Sequence, residues 1–215
     1  MTRIKICCIS SVEEAALAIR AGAAAIGLVG RMPSGPGVIE DTLIRSISVA
    51  TPPAVGSFLL TSETTADAII SHHHRTLTNT IQLVDAVAPA TYAALRKSLP
   101  FIKIVQVIHV TGEASFDEAL SVAGSVDALL LDSGNPALAV KELGGTGRVH
   151  NWAISRRIVE QARIPVFLAG GIGENNVRHA IDEVQPFGVD LCSSVRSNGM
   201  LDPQKLLRFF AAVNK

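Results

Sequence analysis

Aromatic residues are scarce, 4% of 215 with a single tryptophan and a single tyrosine. That removes the stacking platforms on which single-stranded nucleic acids are held. Neither charge is in surplus: 19 Lys and Arg balance 19 Asp and Glu. No basic field therefore favours nucleic acid or an anionic membrane as partner. No apolar run approaches the ~20 residues of a membrane span. The opening Met1-Thr2-Arg3-Ile4-Lys5 leads into a short apolar run that does not resemble a signal peptide. Cysteine is scarce too. Cys7, Cys8 and Cys192 cannot all pair, and two of them are adjacent, so reduced thiols in the cytoplasm are expected. The six histidines form no His-Glu-x-x-His or comparable ligand pattern. Within His72-His73-His74 successive side chains on a helix diverge by about 100°. The run is read as a solvated helix end, and no metal is expected.

What is present is enough apolar residue for a large core, 48% of the chain against 18% charged. Short apolar runs alternate with amphipathic segments eight times. The runs are 3–9, 25–29, 55–60, 80–84, 101–108, 127–132, 165–169 and 188–192. Between them lie helix signals. Ser11 three before Glu14, and Ser115 three before Glu118, read as capping boxes. Asn151 reads as a helix cap, and Asp202-Pro203 as a cap and first turn. Helices are expected over 40–49 and 64–73, and from Pro89. Gly30 to Gly37 and Gly144-Gly145-Thr146-Gly147 read as loops. Eight βα units of about 25 residues suit an α/β fold of the (β/α)8 TIM barrel type, typically about 200–250 residues long. With no linker composition anywhere, residues 1–215 are expected to form one domain. A doubly wound sheet would place its glycine-rich turn after the first strand, where Cys8-Ile9-Ser10-Ser11 stands.

In a barrel strand alternate side chains face the axis. Lys5 and Cys7 share one face, read as the interior, and Ile4, Ile6 and Cys8 the other. Cys7 can be a small buried hydrophobe or a base. A thiol is only a few per cent ionised at neutral pH (pKa about 8.5), and a neighbouring cation such as Lys5 favours its thiolate. Cys8 is read as core. Asp132 ends an otherwise apolar strand, Leu129-Leu130-Leu131, so it is either a turn cap or an acid delivered to the barrel mouth. Asp190, earlier in its strand, is read as a structural hydrogen-bonding or ion-pairing group. Gly170 and Gly171, with Ser193 and Ser194, stand after the seventh and eighth strands, where barrels bind phosphate.

Lys5-Ile6-Cys7-Cys8-Ile9 resembles the Lys-Ile-Cys-Gly-Ile opening of the phosphoribosylanthranilate isomerase family. Leu130-Leu131-Asp132, Gly144-Gly145-Thr146-Gly147, Trp152, Leu168-Ala169-Gly170-Gly171, Glu174-Asn175-Asn176-Val177 and Gly188-Val189-Asp190 continue it in order. The resemblance implies a cytoplasmic enzyme of tryptophan biosynthesis, a monomer or homodimer acting without cofactor on a small phosphorylated sugar-amine. It implies Asp132 as the general acid that opens the furanose ring and Cys7 as the base at C2′ of an Amadori rearrangement. The chain departs from the family at three places. Gly37 follows Pro36 where the family has an arginine for the anthranilate carboxylate, and Arg31 in the same loop is the substitute candidate. Gln82-Leu83-Val84-Asp85 stands for Gln-Leu-His-Gly. Cys192-Ser193-Ser194-Val195-Arg196 stands for Ser-Ser-Gly-Val-Glu, with Arg196 expected at the phosphate. The alternatives are a diverged isomerase of another phosphorylated aldosylamine and a non-catalytic phosphosugar-binding barrel.

Overall fold

A computed structural model describes residues 2–135, 137–138, 141, 143 and 147–214. The loop expected over Gly144-Gly145-Thr146 falls outside them. The strands are β1 Arg3–Ile6, β2 Ala25–Val29, β3 Gly56–Thr61, β4 Thr80–Leu83, β5 Lys103–His109, β6 Ala128–Asp132, β7 Val166–Leu168 and β8 Gly188–Leu191. Helices follow each strand: α1 Val12–Ala21, α2 Asp41–Ala50, α3 Ala66–Thr76, α4 Pro89–Ser98, α5 Ala114–Ala123, α6 Trp152–Ala162, α7 Val177–Val184 and α8 Pro203–Val213. All neighbours pair in parallel, and β8 returns to β1 with Lys5 opposite Asp190, which closes the sheet into a (β/α)8 barrel.

Period-two alternation sorts the apolar residues into two layers. Ile4, Ile6, Ile26, Leu28, Leu59, Ile81, Leu129 and Leu131 point outward and are covered by the helices. Ala25, Val29, Phe58, Val105, Leu130 and Phe167 fill the axis. The caps at Ser11, Asn151 and Asp202 form as expected, each accepting a hydrogen bond from a backbone N–H in the first turn. No helix among the described residues is long and apolar enough to cross a membrane.

Four local expectations are corrected. The first strand stops at Ile6 because Cys8 sits at φ 61°, a left-handed conformation that no strand continues through. Alternation therefore fails at Cys8, which joins the interior cluster and not the outer core. Ser115 does not cap α5: it lies within the helix and donates to the His109 carbonyl at 3.0 Å, tying the helix to the end of β5. His72 and His73 are buried, not solvated. His72 bridges Thr61 (2.9 Å) and Asp41 (3.1 Å), and His73 bonds the Thr78 carbonyl (2.8 Å).

The remaining correction concerns Arg196, which is committed elsewhere than at a phosphate. Its guanidinium forms a two-pronged pair with Glu14, both contacts at 3.0 Å, with the two side chains only 9% and 10% exposed. It also donates to the carbonyls of Cys8 and, at 2.9 Å, Gly199. Glu14 in turn accepts from the N–H of Ser10 (3.0 Å) and Leu201 (2.7 Å). The first turn of α1 is thus stapled to the segment that leads from β8 to α8. Burial opposes ionisation of Glu14, but Arg196 and these two N–H groups outweigh it and hold the carboxyl below its usual range.

Breaking such a pair leaves a buried charge unmatched, at a cost of about 3 kcal/mol. Glu14→Gln is therefore expected to lower unfolding stability by about that amount at pH 7, measured by denaturant titration. A lowered folded-state pKa means the contribution is complete above the unfolded value of about 4.3 and is lost as pH falls through the folded value. The gap between wild type and variant should accordingly narrow in acid. A gap that stays constant down to pH 2 would contradict this account.

Candidate active site

The carboxyl ends of the strands open on a cavity walled by residues from β4, β6 and β8, by Cys7 just past β1, and by the loops that follow β2 and β7, the position at which barrels of this fold place their sites. Its floor is an ion pair. Lys5, fully buried on β1, lies 3.0 Å from Asp190 on β8 and 5.2 Å from the centre of the Phe58 ring. Burial works against the ammonium, yet Asp190 and then Cys7 outweigh it, so Lys5 stays protonated. This matches the structural role expected of Asp190. Gly27 on β2 makes room for the column above the pair. A Cβ there would fall 2.7 Å from the Cys7 sulfur and 3.1 Å from Lys5 Nζ.

Cys7 and Asp132 both line the cavity, as their strand positions require. Cys7 follows β1 directly and its N–H donates to the Leu191 carbonyl at 2.8 Å, so the end of β8 fixes its backbone. Asp132 is 6% exposed at the end of β6. Burial pushes its carboxyl above the usual range, against the opposing pull of the Ser133 N–H, His109 and Lys5. His109 stands opposite Asp132 in the β5–β6 register. Its Nε2 lies 3.0 Å from the Val84 carbonyl. A carbonyl can only accept, so that nitrogen carries the proton. The Ser133 N–H contact is also the one expected of a turn cap, so the cap and the acid readings share this carboxyl.

The four residues expected at phosphate divide between two neighbouring hollows. Gly170, Gly171 and Ser193 line the main cavity. Ser194 lies in an adjoining hollow with Gly171, Gly173, Asn176, Lys205 and Arg208. Gly170 and Gly171 adopt φ 80° and 64°, and a Cβ would meet Ser133 Oγ at 2.8 Å and the Arg148 carbonyl carbon at 2.8 Å. Both positions demand glycine, for conformation and for space.

Arg31 is exposed and is not among the residues lining the cavity; its carbonyl accepts from Ser62 Oγ at 3.2 Å. The loop from β2 to α2 instead presents Met32, Ser34, Gly35 and Pro36 to the cavity. Gly37 has φ 79°, and a Cβ there would lie 2.5 Å from the Cys8 Cβ. Two departures noted in the sequence are therefore one spatial exchange. Cys8 occupies the volume that any side chain at 37 would need.

Sequence reading missed Gln82. It lies on β4 between Ile81 and Leu83, is 3% exposed, lines the cavity, and has no partner for its Oε1 among the described residues. An amide on a strand otherwise buried and apolar was the available signal, since an unsatisfied buried acceptor costs roughly 1–3 kcal/mol. Cys8 was read as core, yet it lines the site, as does Cys192, to which no role was given.

Residues 4–212 match the family described as N-(5'phosphoribosyl)anthranilate (PRA) isomerase. The chain is 39% identical over 209 residues to N-(5'-phosphoribosyl)anthranilate isomerase 2 of Methanosarcina mazei, covering 96% of this chain and 92% of that one. The crystal structure of phosphoribosyl anthranilate isomerase from Thermotoga maritima superposes with a TM-score of 0.83 at 28% identity, covering 100% of this chain and 99% of that one. A phosphoribosyl anthranilate isomerase in complex with reduced 1-(o-carboxyphenylamino)-1-deoxyribulose 5-phosphate superposes with a TM-score of 0.80 at 26% identity, over 100% and 99% of the two chains. With a match over nearly its whole length, a closed (β/α)8 barrel and an acid and a thiol in one cavity at its mouth, this chain belongs to the PRA isomerase family.

Proposed function

We propose that Asp132 and Cys7 are the acid and the base of a phosphoribosylanthranilate isomerase. The activity itself, an aldose–ketose isomerisation in tryptophan biosynthesis, follows from the family and its full-length relatives. The observation that carries the residue assignment is the shared cavity. One wall delivers a carboxyl whose pKa burial raises, and another delivers a thiol above a buried ammonium.

The roles follow from what each group holds. Asp132, as the neutral acid, donates its proton to the furanose ring oxygen. The C1′–O bond breaks, and the nitrogen lone pair closes a Schiff base. Cys7, as thiolate, takes the proton from C2′, giving an enolamine that tautomerises to the aminoketose. Two such proton transfers, each typically worth about 10² to 10⁴ in rate, have to be supplied at one site. Lys5 is the cation that a thiolate at Cys7 would face. Gly170, Gly171, Ser193 and Ser194 are assigned to the phosphate, with Lys205 and Arg208 bordering Ser194. Gln82 Oε1 is assigned to a substrate hydroxyl or amine. The bound product analogue of the related structure joins a carboxyphenyl group, a sugar chain and a phosphate, the three parts that such a cavity has to separate. Arg31 is assigned to the rim, where an exposed cation adds about 1 kcal/mol at most. The free thiols of Cys7, Cys8 and Cys192 support a cytoplasmic place of action.

Replacing either reacting group should remove catalysis and spare binding. Cys7→Ala and Asp132→Asn are each expected to lower kcat by about 10² to 10⁴ with little change in KM, measured by steady-state fluorescence of the anthranilate. If both variants keep wild-type kcat, the assignment is wrong. Asp132→Asn carries a second signature. A folded-state pKa raised above the unfolded value means Asp132 favours folding below its unfolded pKa and loses that contribution as pH rises through the folded value. At pH 8 the inactive asparagine variant should consequently unfold at a higher temperature than wild type. A lower Tm would indicate that Asp132 is a structural cap.

The Cys8–Gly37 exchange is testable independently. Gly37→Arg alone should fold poorly, since its Cβ would lie within 2.5 Å of the Cys8 Cβ. Adding Cys8→Gly should restore folding, apart from about 1–2 kcal/mol for an arginine in the left-handed region. The double variant is expected to lower KM roughly tenfold or more, the worth of a charge-assisted bond to a carboxylate. A double variant no more stable than Gly37→Arg would disprove the coupling.

A further inference from the structure

Cys8 and Cys192 have no part in the isomerisation assigned above, yet both face the cavity beside Cys7. Their backbones meet at the seam of the barrel. Ile6 stands opposite Leu191, and the Cys7 N–H donates to the Leu191 carbonyl, so Cys8 and Cys192 are one residue out of step on adjoining chains. Neighbouring strands lie about 4.8 Å apart, and a disulfide needs a Cα separation of about 4.4–6.8 Å. The left-handed backbone of Cys8 turns its side chain inward, where its thiol interacts with those of Cys192 and Cys7. Cys192 is half-buried, whereas Cys8 is buried. Arg196 acts on Cys192 and donates to the Cys8 carbonyl, so one cation serves both. The Cys8 thiol donates to the Pro36 carbonyl at 3.6 Å, and the closeness of the two thiols, then the Arg196 charge, lower the pKa of Cys192 against its burial and leave that of Cys8 raised. The pair thus sets a half-buried thiol of lowered pKa beside a buried thiol at the mouth, the arrangement of a peroxide-reactive dithiol.

We propose that Cys8 and Cys192 are an oxidisable pair, and that hydrogen peroxide converts them to a disulfide that closes the isomerase site. In the first step the Cys192 sulfur attacks one peroxide oxygen. The S–O bond forms, the O–O bond breaks, and the departing hydroxide leaves as water with the proton that Cys192 gave up. In the second step the Cys8 sulfur attacks the sulfenic sulfur. The S–S bond forms, the S–O bond breaks, and the hydroxyl leaves as water with the Cys8 proton. Two thiols are oxidised by two electrons and one peroxide is reduced to two waters. Pairing of Cys8 with Cys7 is disfavoured, because a disulfide between adjacent residues distorts the peptide that joins them. The cross-link would fasten the residue after Cys7 to the residue before Ser193, across the space assigned to the sugar and phosphate. The inhibitory half of the proposal rests on the active-site reading above; the cross-link does not.

The test treats reduced full-length protein with stoichiometric hydrogen peroxide, blocks remaining thiols with iodoacetamide, and maps tryptic peptides without reduction. Residues 6–20 are expected joined to residues 179–196 at the summed mass less two hydrogens plus one carbamidomethyl group on Cys7, and separated by dithiothreitol. Isomerase activity should fall and return in step with the link. Cys7→Ala should keep the link. Cys8→Gly, which suits the backbone at 8, and Cys192→Ser should abolish it. In Cys192→Ser the peroxide-driven loss, relative to its own untreated rate, should be at least tenfold slower. The proposal is overturned if the wild-type link is absent, if it persists in Cys8→Gly, or if Cys192→Ser is inactivated as fast as wild type. A link that forms in a protein without isomerase activity would sink the active-site reading and leave the dithiol standing.

Discussion

The buried Lys5–Asp190 pair is the constraint around which the rest of the barrel is arranged. An ammonium sealed inside a closed sheet is tolerated only with a counter-charge within contact distance. The counter-charge here sits directly across the β1–β8 seam, 3.0 Å away. Closure of the barrel and neutralisation of Lys5 are therefore the same event. A one-residue slip of β8 would turn Asp190 to the helices and leave the lysine alone. The pair also sets what surrounds it. Phe58 lies against the ammonium, Phe58 and Phe167 meet edge-on with ring centres 5.9 Å apart, and position 27 carries no side chain.

Above that floor the site is built from residues whose constraints are shared. Arg196 holds Glu14, the Cys8 carbonyl and the Gly199 carbonyl in one staple. That staple sits beside the left-handed turn at Cys8, and the turn in turn fills the space over Gly37. Two of the three departures from the family pattern, at Gly37 and Arg196, thus lie with Cys8 on one side of the mouth. They adjoin the loop after β2, while Cys7, Asp132 and the glycines after β7 stand in the motifs that resemble the family.

Much of the architecture was legible in the residues. Eight apolar runs separated by capped helices count out a barrel, and alternation placed Lys5, Cys7, Leu130 and Asp132 on the axis because a strand has only two faces. The caps at Ser11, Asn151 and Asp202 were readable because a short polar side chain before a helix has one efficient use. The errors share a different cause. Ser115 followed a local signature, but the carbonyl at the end of β5 offered it a better partner. The histidines after Ser71 looked polar and therefore exposed, yet Asp41, Thr61 and Thr78, distant in the chain or across a turn, satisfied them inside.

The sequence by itself determined the repeat, the strand faces on which Lys5 and Asp132 stand, and, through its ordered motifs, the family. Those depend on periodicity and residue type, which are properties of the chain taken locally. Tertiary structure alone decided that Cys8 turns inward, that Arg196 binds Glu14 and not phosphate, that Gly37 is bare because Cys8 is not, and that a third thiol waits at the mouth. Each is a contact between segments 29 to more than 180 residues apart. Such contacts are set by how closed strands bring their ends together, and no pattern within one segment encodes that.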